Sequence, residues 1–198
     1  MTVMAQHMPS QMSVEEFEEL AAHVAERFDA VRLEFVDGRV GIKGMTNGSH
    51  GEIAMWLVFQ CKHARPDLTL NTTGQGLKVE AYRNGRARPD AVLAPVGHFN
   101  GQGEWAAPDG VLMVVEITSY DSDTHRRDRV EKPQAYGEAG VPVYLLIDRD
   151  RLKIVVHSDP DPRIGYHNVR VVELGERTTL PEPLGFELDT EDLKAYVD

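Results

Sequence analysis

The sequence predicts an α+β domain with an α/β-type core, in which a mixed central sheet is flanked by helices. Two observations support this fold class. Residues 31–42 contain two strand-like runs joined by Asp37-Gly38, which is typical of an antiparallel hairpin. Residues 111–148 contain a strand, a helix and a second strand in that order, which predicts a right-handed crossover between parallel strands. A chain with both kinds of pairing is expected to build a mixed sheet.

Length and composition indicate one globular domain. The chain has 198 residues, of which 41% are hydrophobic and 27% charged, and these values separate it from disordered and disulfide-stapled proteins. We expect a single domain over residues 13–198, preceded by a disordered or loosely held segment over residues 1–12. The start lacks the pattern of a signal peptide, and apolar runs such as Val111–Val115 are far shorter than the ~20 residues of a membrane span. The expected location is the cytoplasm, with no membrane contact.

Capping and turn residues indicate the first elements. Ser13 and Glu16 have the spacing of a capping box, and the apolar residues that follow recur at helical intervals, so a helix is predicted over 13–28. The Asp37-Gly38 turn then places the run before it in a strand. Because Glu34 lies within that run, one carboxylate is expected on a strand.

A second helix is predicted from a second capping-box pattern. Ser49 and Glu52 have the required spacing, and apolar residues continue to about residue 64, where Arg65-Pro66 stops the helix. His50 is expected in the first turn of this helix. Strand-like runs follow at 68–70, 77–82, 91–94 and 111–117, and the glycine-rich segment 96–110 is predicted to be a surface loop or flap.

The C-terminal third supplies the rest of the sheet. A third helix is expected within 126–139, ending before Gly140, and the apolar run 143–147 predicts a strand that ends at Asp148. The two strands of this crossover are expected to be central. The remaining predictions are a strand over 152–156, an edge hairpin with connections over 159–185, and a short helix over 190–196.

Carboxylates inside apolar strands are the most informative feature of the sequence. Glu116 interrupts the buried-looking run 111–117, and an ionised carboxylate there costs several kcal/mol unless it is paired or binds a metal. Asp90 heads the run 91–94, and Glu34 lies in the hairpin. Carboxylates on adjacent strands suit Mg²⁺, which takes one or two of them and keeps several waters. The alternative is that Asp90 and Glu116 only form salt bridges, with Arg88, Lys132 or Arg127 as partners.

The charge distribution leaves room for a phosphate-bearing partner. The net charge is −11, but residues 1–30 contribute −5 and residues 171–198 contribute −6, so the middle of the chain is neutral. Bases cluster there in two groups, of which the first is Arg83, Arg86 and Arg88 and the second is Arg126, Arg127, Arg129 and Lys132. Arg86, Arg88, Arg126 and Arg127 are the candidates for contacts with nucleic acid. The alternative is that both groups are solvated faces.

Several motifs together resemble a known family. They are Glu34-Phe-Val-Asp-Gly38, His50, Arg88-Pro89-Asp90, Glu116-Ile-Thr-Ser119, Asp128-Arg-Val-Glu-Lys132, Tyr136, Ala139-Gly-Val-Pro142 and Tyr144-Leu-Leu-Ile-Asp148. Over residues 13–157 this set is similar to the Uma family of restriction-endonuclease-like proteins, a branch of the PD-(D/E)xK nuclease superfamily. The resemblance implies a restriction-endonuclease-like mixed central sheet flanked by helices. It also implies a metal site where the strands that carry Asp90 and Glu116 diverge.

The resemblance assigns roles to individual residues. Asp90 and Glu116 are expected to ligate the metal. The Glu34 side chain and the backbone carbonyl of Ile117 are expected to complete the ligand set. The superfamily lysine two positions after Glu116 is absent, because that position is Thr118. Lys132 is the matching candidate, at or just before the start of a helix because Pro133 suits only a first turn. A solvated lysine is the alternative. The supporting residues are His50, Asp128 and Tyr136.

These observations lead to a functional hypothesis with two alternatives. The hypothesis is a Mg²⁺-dependent endonuclease that hydrolyses phosphodiester bonds in DNA, binds DNA weakly and accepts Mn²⁺ in place of Mg²⁺. One alternative is a nuclease-fold binding or regulatory module without cleavage activity. The other is a metal-dependent hydrolase of a different phosphate ester. Both a monomer and a homodimer are compatible with the sequence.

Overall fold

The computed structural model describes residues 12–43, 47–79, 85–118 and 126–197. Residues 1–11 of the predicted N-terminal segment lie outside the described residues, as do residues 80–82 of one predicted strand, Arg83 and Ser119. The helical elements, in chain order, are α1 (Val14–Arg27), α2 (Gly48–Ala64), a π-helical segment (Arg127–Glu131), α3 (Lys132–Glu138) and a 3₁₀ helix (Glu191–Tyr196).

The described strands number thirteen. They are β1 (Arg32–Val36), β2 (Arg39–Lys43), β3 (Leu68–Asn71), β4 (Gly76–Val79), β5 (Gly85–Ala87), β6 (Ala91–Pro95), β7 (Trp105–Ala106), β8 (Met113–Ile117), β9 (Val143–Asp148), β10 (Lys153–Asp161), β11 (Gly165–Glu173), β12 (Arg177–Thr179) and β13 (Glu187–Asp189). The predicted mixed α+β class is confirmed.

The central sheet is six-stranded and mixed, with the spatial order β11-β10-β9-β8-β6-β3. Strands β8 and β9 are parallel neighbours in the middle, and all other pairs are antiparallel. The predicted parallel pairing of the two strands on either side of α3 is therefore confirmed. Strand β6 lies next to β8, which brings the start of β6 close to the end of β8, because the two strands run in opposite directions.

A second sheet of five strands carries the N-terminal hairpin, in the order β2-β1-β5-β4-β7. The hairpin turn is as predicted, since Asp37 and Gly38 both have positive φ. The hairpin is not part of the predicted mixed central sheet, because β1 pairs with β5 in this second sheet. A pairing between strands so distant in sequence depends on tertiary packing. Segment 96–110 is also not all loop, because Trp105–Ala106 pairs in parallel with β4.

The two long helices begin with different caps. Helix α1 has the predicted capping box, in which the Ser13 hydroxyl accepts a hydrogen bond from the Glu16 amide and the Glu16 carboxylate accepts one from the Ser13 amide. The predicted box at Ser49 is wrong. Asn47 is the N-cap of α2, and its side-chain oxygen accepts a hydrogen bond from the His50 amide at 3.0 Å. Asparagine is as favourable an N-cap as serine, so Asn47, which comes before Ser49 in the chain, can serve as the N-cap of α2.

A π-helical turn precedes α3. The Lys132 amide donates to the Arg127 carbonyl, five residues back, in place of the usual four. Pro133 follows in the first turn of α3, as predicted, where its missing N–H is tolerated. Lys132 is the first residue of α3, as predicted, and the backbone before it is already helical from residue 126. Lys132 is thus held from both sides by helical backbone.

Three apolar clusters pack the layers together. One face of the central sheet packs against α2, and this cluster includes Ile53, Leu93, Val115 and Leu145. The opposite face packs against α3 and the five-stranded sheet, through side chains that include Leu77, Val92, Val114, Tyr136 and Leu146. Helix α1 covers the outer side of β1 through Phe17, Ala21, Leu33 and Phe35. Among the described residues, no helix is both long and apolar enough to cross a membrane.

Candidate active site

The candidate site lies between the two sheets, and strand alternation puts its acidic residues there. In β8, Val115 packs toward α2, and the next residue, Glu116, therefore lies on the opposite face of the strand. In β1, Leu33 and Phe35 face α1, which leaves Glu34 on the other side, toward the central sheet. The carboxylates of Glu34 and Glu116 therefore meet in the interior.

Asp90 and Glu116 converge on one cation, the ammonium of Lys43. The Lys43 Nζ lies 2.9 Å from Asp90 Oδ1 and 2.9 Å from Glu116 Oε2. It also donates a hydrogen bond to the carbonyl oxygen of Arg88 at 2.7 Å. Lys43 ends strand β2, Glu116 lies on β8, and Asp90 directly precedes β6, so two strands and the start of a third supply this contact.

Lys132 binds the other oxygen of Glu116. Its Nζ lies 2.9 Å from Glu116 Oε1, 3.0 Å from Asp128 Oδ1 and 3.5 Å from Glu34 Oε1. The side chain is only 3% exposed. The alternative of a solvated lysine is therefore wrong, because Lys132 lies in the interior among three carboxylates.

Glu34 is held by Arg127 and by the backbone. Its Oε1 lies 2.6 Å from an Arg127 guanidinium nitrogen, and its Oε2 accepts a hydrogen bond from the Arg88 amide at 3.2 Å. Arg127 reaches Glu34 across Gly41, the residue paired with Glu34 in the hairpin. A Cβ at position 41 would lie 1.5 Å from the guanidinium, so glycine leaves the space that Arg127 uses.

Burial and neighbouring charges shift the pKa values of the acids in opposite directions. Burial raises the pKa of Glu116 to about 8, because the favourable charges of Lys132 and Lys43 only partly offset the loss of water and the repulsion by Asp128 and Asp90. Burial acts in the same direction on Asp90, but there Lys43 and His50 outweigh it and hold the pKa well below its ordinary value. Asp90 is therefore ionised, and Glu116 is the carboxylate that takes up a proton.

The two lysines remain charged in spite of their surroundings. Burial disfavours an ammonium, but the carboxylates of Asp128, Glu116 and Glu34 raise the pKa of Lys132 well above its ordinary value. Asp90 and Glu116 likewise raise the pKa of Lys43. The site thus contains two positively charged ammonium groups at neutral pH.

Three further residues that the sequence predicted for the site contact Asp90 or Glu116. The Tyr136 hydroxyl donates to Glu116 Oε1 at 3.3 Å, and burial raises the pKa of Tyr136 well above its ordinary value, so it remains a donor. His50 Nε2 lies 3.1 Å from Asp90 Oδ2. The Ile117 amide donates to the same Asp90 oxygen at 2.8 Å, which fixes the carboxylate against the end of β8.

The other predicted residues lie outside this cluster. Arg86 is buried and pairs with Glu18, and the buried Arg88 side chain pairs with Glu104 and lies over the ring of Trp105. Arg126 is exposed and pairs with Glu131. Of the four arginines predicted to contact nucleic acid, Arg127 reaches the site with its side chain, and Arg88 contributes its backbone and lines the cleft.

Sequence reasoning missed Lys43. A lysine at the end of a hairpin strand usually lies in solvent, and nothing near it in sequence marks it as different. The one available signal was its place on the same hairpin as Glu34. Thr118, two residues after Glu116, is fully buried, and its hydroxyl accepts a hydrogen bond from the Arg149 amide at 2.8 Å. Position 118 is therefore part of the packed core.

The donor set fits a hard divalent cation bound by two carboxylates. Among the described residues, no group of three or more His, Cys, Asp and Glu side chains is arranged to hold a metal. Mg²⁺ does not need one, because it commonly takes one or two carboxylates and keeps waters in its other positions. Asp90 and Glu116 already point oxygens at a single cationic atom. An open cleft of about 530 Å³ reaches this point, with Arg32, Lys43, His50 and Asp90 in its lining.

Comparisons with known proteins agree with this fold. A structural match is the crystal structure described as "a putative nuclease belonging to DUF820 from Anabaena variabilis ATCC 29413", with a TM-score of 0.65 and 16% sequence identity over 93% of this chain and 98% of that chain. No curated protein matches the sequence. The model of the Uma2 family, described as "Putative restriction endonuclease", matches residues 14–191. The chain therefore belongs to the Uma2 family.

Proposed function

We propose that the protein is a metal-dependent endonuclease that hydrolyses phosphodiester bonds in DNA. The observation that carries the proposal is the convergence of Asp90 Oδ1 and Glu116 Oε2 on one cation at 2.9 Å each. Two carboxylates from adjacent strands are a donor set suited to Mg²⁺, with Mn²⁺ as a substitute. The family description supports nuclease chemistry in general, and the cation and the DNA substrate are parts of this proposal.

Asp90 and Glu116 would hold the ion, with Glu34 and the Ile117 carbonyl as further candidate ligands. A bound divalent ion supplies polarisation of the scissile phosphate and a more acidic water. The Ile117 amide and His50 keep the Asp90 carboxylate in one orientation. Their hydrogen bonds prepare the site before any ion arrives.

Lys132 would stabilise negative charge on the phosphate or orient the attacking water. Its ammonium is charged, buried and fixed by three carboxylates, so it needs little reorganisation during the reaction. A lysine contributes a compact point charge, which suits this role. Tyr136 holds the Glu116 oxygen that Lys132 also contacts.

A binding module without cleavage activity is the second candidate. One observation favours it: Asp90 and Glu116 both pair with Lys43, so each carboxylate has a cationic partner without an added ion. In such a module the ion pairs would serve only to organise the interior. Metal binding separates the two candidates.

The test combines calorimetry with a cleavage assay. We expect the wild type to bind Mn²⁺ and to cut plasmid DNA with Mg²⁺ or Mn²⁺ but not with a chelator. Asp90→Ala and Glu116→Ala should lose ion binding and cleavage while remaining folded, because each change removes one of the two carboxylates that would hold the ion. Asp67→Ala is the matched control, since Asp67 is exposed and pairs with Arg65. A wild type that binds no divalent ion at millimolar concentration would refute the proposal.

A further inference from the structure

Lys43 occupies a position built from oxygen atoms. Its Nζ is surrounded by Asp90 Oδ1, Glu116 Oε2 and the carbonyl oxygen of Arg88, at 2.9, 2.9 and 2.7 Å. Two carboxylates and a backbone carbonyl are also the kind of oxygens that bind hard divalent cations. An ammonium and a divalent ion therefore compete for the same carboxylate oxygens.

The two lysines of the site differ in their freedom to move. Lys132 is 3% exposed and contacts three carboxylates from a helical segment. Lys43 is 22% exposed, ends the edge strand β2 and lines the open cleft. Lys43 can therefore leave the carboxylates for the cleft without disturbing the packed interior, whereas Lys132 cannot.

The charges of the cluster favour an exchange of Lys43 for a divalent ion. Four carboxylates, from Glu34, Asp90, Glu116 and Asp128, face three cationic side chains, from Lys43, Lys132 and Arg127. A divalent ion brings these carboxylates one more positive charge than Lys43 does.

We propose that Lys43 is a built-in cation that holds the place of the divalent ion in the metal-free protein and must move into the cleft when the ion binds. This inference rests on the proposed metal-dependent function. Lys43 thereby lowers the apparent affinity for the ion, because only the fraction of molecules with the ammonium displaced can bind it. It also keeps the acidic site neutralised while no ion is present.

The first experiment measures Mn²⁺ affinity by calorimetry for wild type, Lys43→Met and Lys78→Met. Lys78 is an exposed lysine of the same sheet and serves as the matched control. We expect Lys43→Met to bind Mn²⁺ about tenfold more tightly than wild type does. This factor corresponds to a wild type in which Lys43 has left the carboxylates in about one molecule in ten. Lys78→Met should bind like wild type.

The second experiment needs no variant at position 43. The wild type is treated with an amine-reactive ester, and labelling of each lysine is followed by mass spectrometry with and without saturating Mn²⁺. We expect Mn²⁺ to increase the labelling rate of Lys43 several-fold and to leave Lys78 unchanged. An unchanged rate at Lys43, in a protein that binds the ion, would overturn the proposal.

The outcomes separate this inference from the proposed function. If wild type binds Mn²⁺ and Lys43→Met binds it no more tightly, the inference about Lys43 fails and the metal-dependent function stands. If neither protein binds Mn²⁺, both fail. Binding by Lys43→Met alone would overturn both, because it would show that Lys43 does not leave the carboxylates when the ion is offered.

Discussion

Glu116 shows how one residue can make stability depend on pH. Burial raises its pKa from 4.5 to about 8, so the folded protein holds this proton more tightly than the unfolded chain. The resulting stabilisation is complete below pH 4.5 and is lost as the pH rises through 8. His157 makes stability rise with pH instead, because burial lowers its pKa from 6.5 to about 4, and this effect is confined to the range between those two values. The range from pH 6.5 to 8 therefore reports mainly on Glu116.

We predict that Glu116→Gln removes this pH dependence in chelator-treated protein. Between about pH 6.5 and 8 the free energy of unfolding of the wild type should fall by about 2 kcal/mol relative to the variant, because one proton corresponds to about 1.4 kcal/mol per pH unit. Urea unfolding at the two pH values measures the difference. Parallel profiles for the two proteins would show that Glu116 does not hold the proton.

Lys132 permits a second prediction at the residue scale. Lys132→Met should retain Mn²⁺ binding but reduce the cleavage rate by about a hundredfold or more, as expected when one preorganised electrostatic group is removed. The variant should also unfold more easily, because Asp128 loses its ammonium partner. Calorimetry and a plasmid assay at a temperature below the unfolding transition measure both effects. Cleavage at the wild-type rate would exclude Lys132 from the mechanism.

Helix α3 depends on a close approach to β11. A Cβ on Gly137 would lie 2.0 Å from the Gly165 carbonyl oxygen, which belongs to the backbone and cannot rotate away. In α2, by contrast, a Cβ on Gly51 meets no atom within 4 Å. The two helical glycines therefore differ in what surrounds them. This position of α3 also holds Lys132 and Tyr136 against Glu116.

We predict opposite effects of alanine at these two positions. Gly137→Ala should lower the free energy of unfolding by about 1–3 kcal/mol, because the helix must move away from β11. Gly51→Ala should raise it by about 0.5–1 kcal/mol, since alanine restricts the unfolded chain and suits a helix. Denaturant unfolding measures both. Equal effects would mean that the approach of α3 to β11 does not limit packing.

The charge of the whole molecule sets its expected behaviour with DNA. The net charge of −11 opposes binding of a polyanion, so contact depends on a few local bases near the cleft and the π-helical segment. Arg126 is 65% exposed and lies beside that segment. Arg177 has similar exposure, at 68%, and lies on the small β12–β13 hairpin.

We predict weak DNA binding that decreases steeply with salt. Arg126→Glu should weaken it further, whereas Arg177→Glu, with the same change in net charge, should have little effect. Fluorescence anisotropy with a labelled duplex at several salt concentrations, in the presence of Ca²⁺ to limit cleavage, measures the affinities. Equal losses for both variants would show that only net charge matters.

The sequence by itself determined most of the elements and the acids that they carry. Helix α1, the β1–β2 hairpin and the parallel β8–β9 pair follow from caps, turns and apolar periodicity, which are local signals. The burial of Asp90 and Glu116 follows from their place at apolar strands. These predictions succeeded because each depends on neighbours close in sequence.

Only the tertiary structure decided which groups meet these acids. Lys43 and Glu116 are 73 positions apart, and their contact requires the five-stranded sheet to pack against the central one. The contact of Arg127 with Glu34 depends in the same way on Gly41 and on a helical segment distant in the chain. Local patterns do not encode such contacts, because long-range packing alone brings the two sheets together and gives Lys43 its place between two carboxylates.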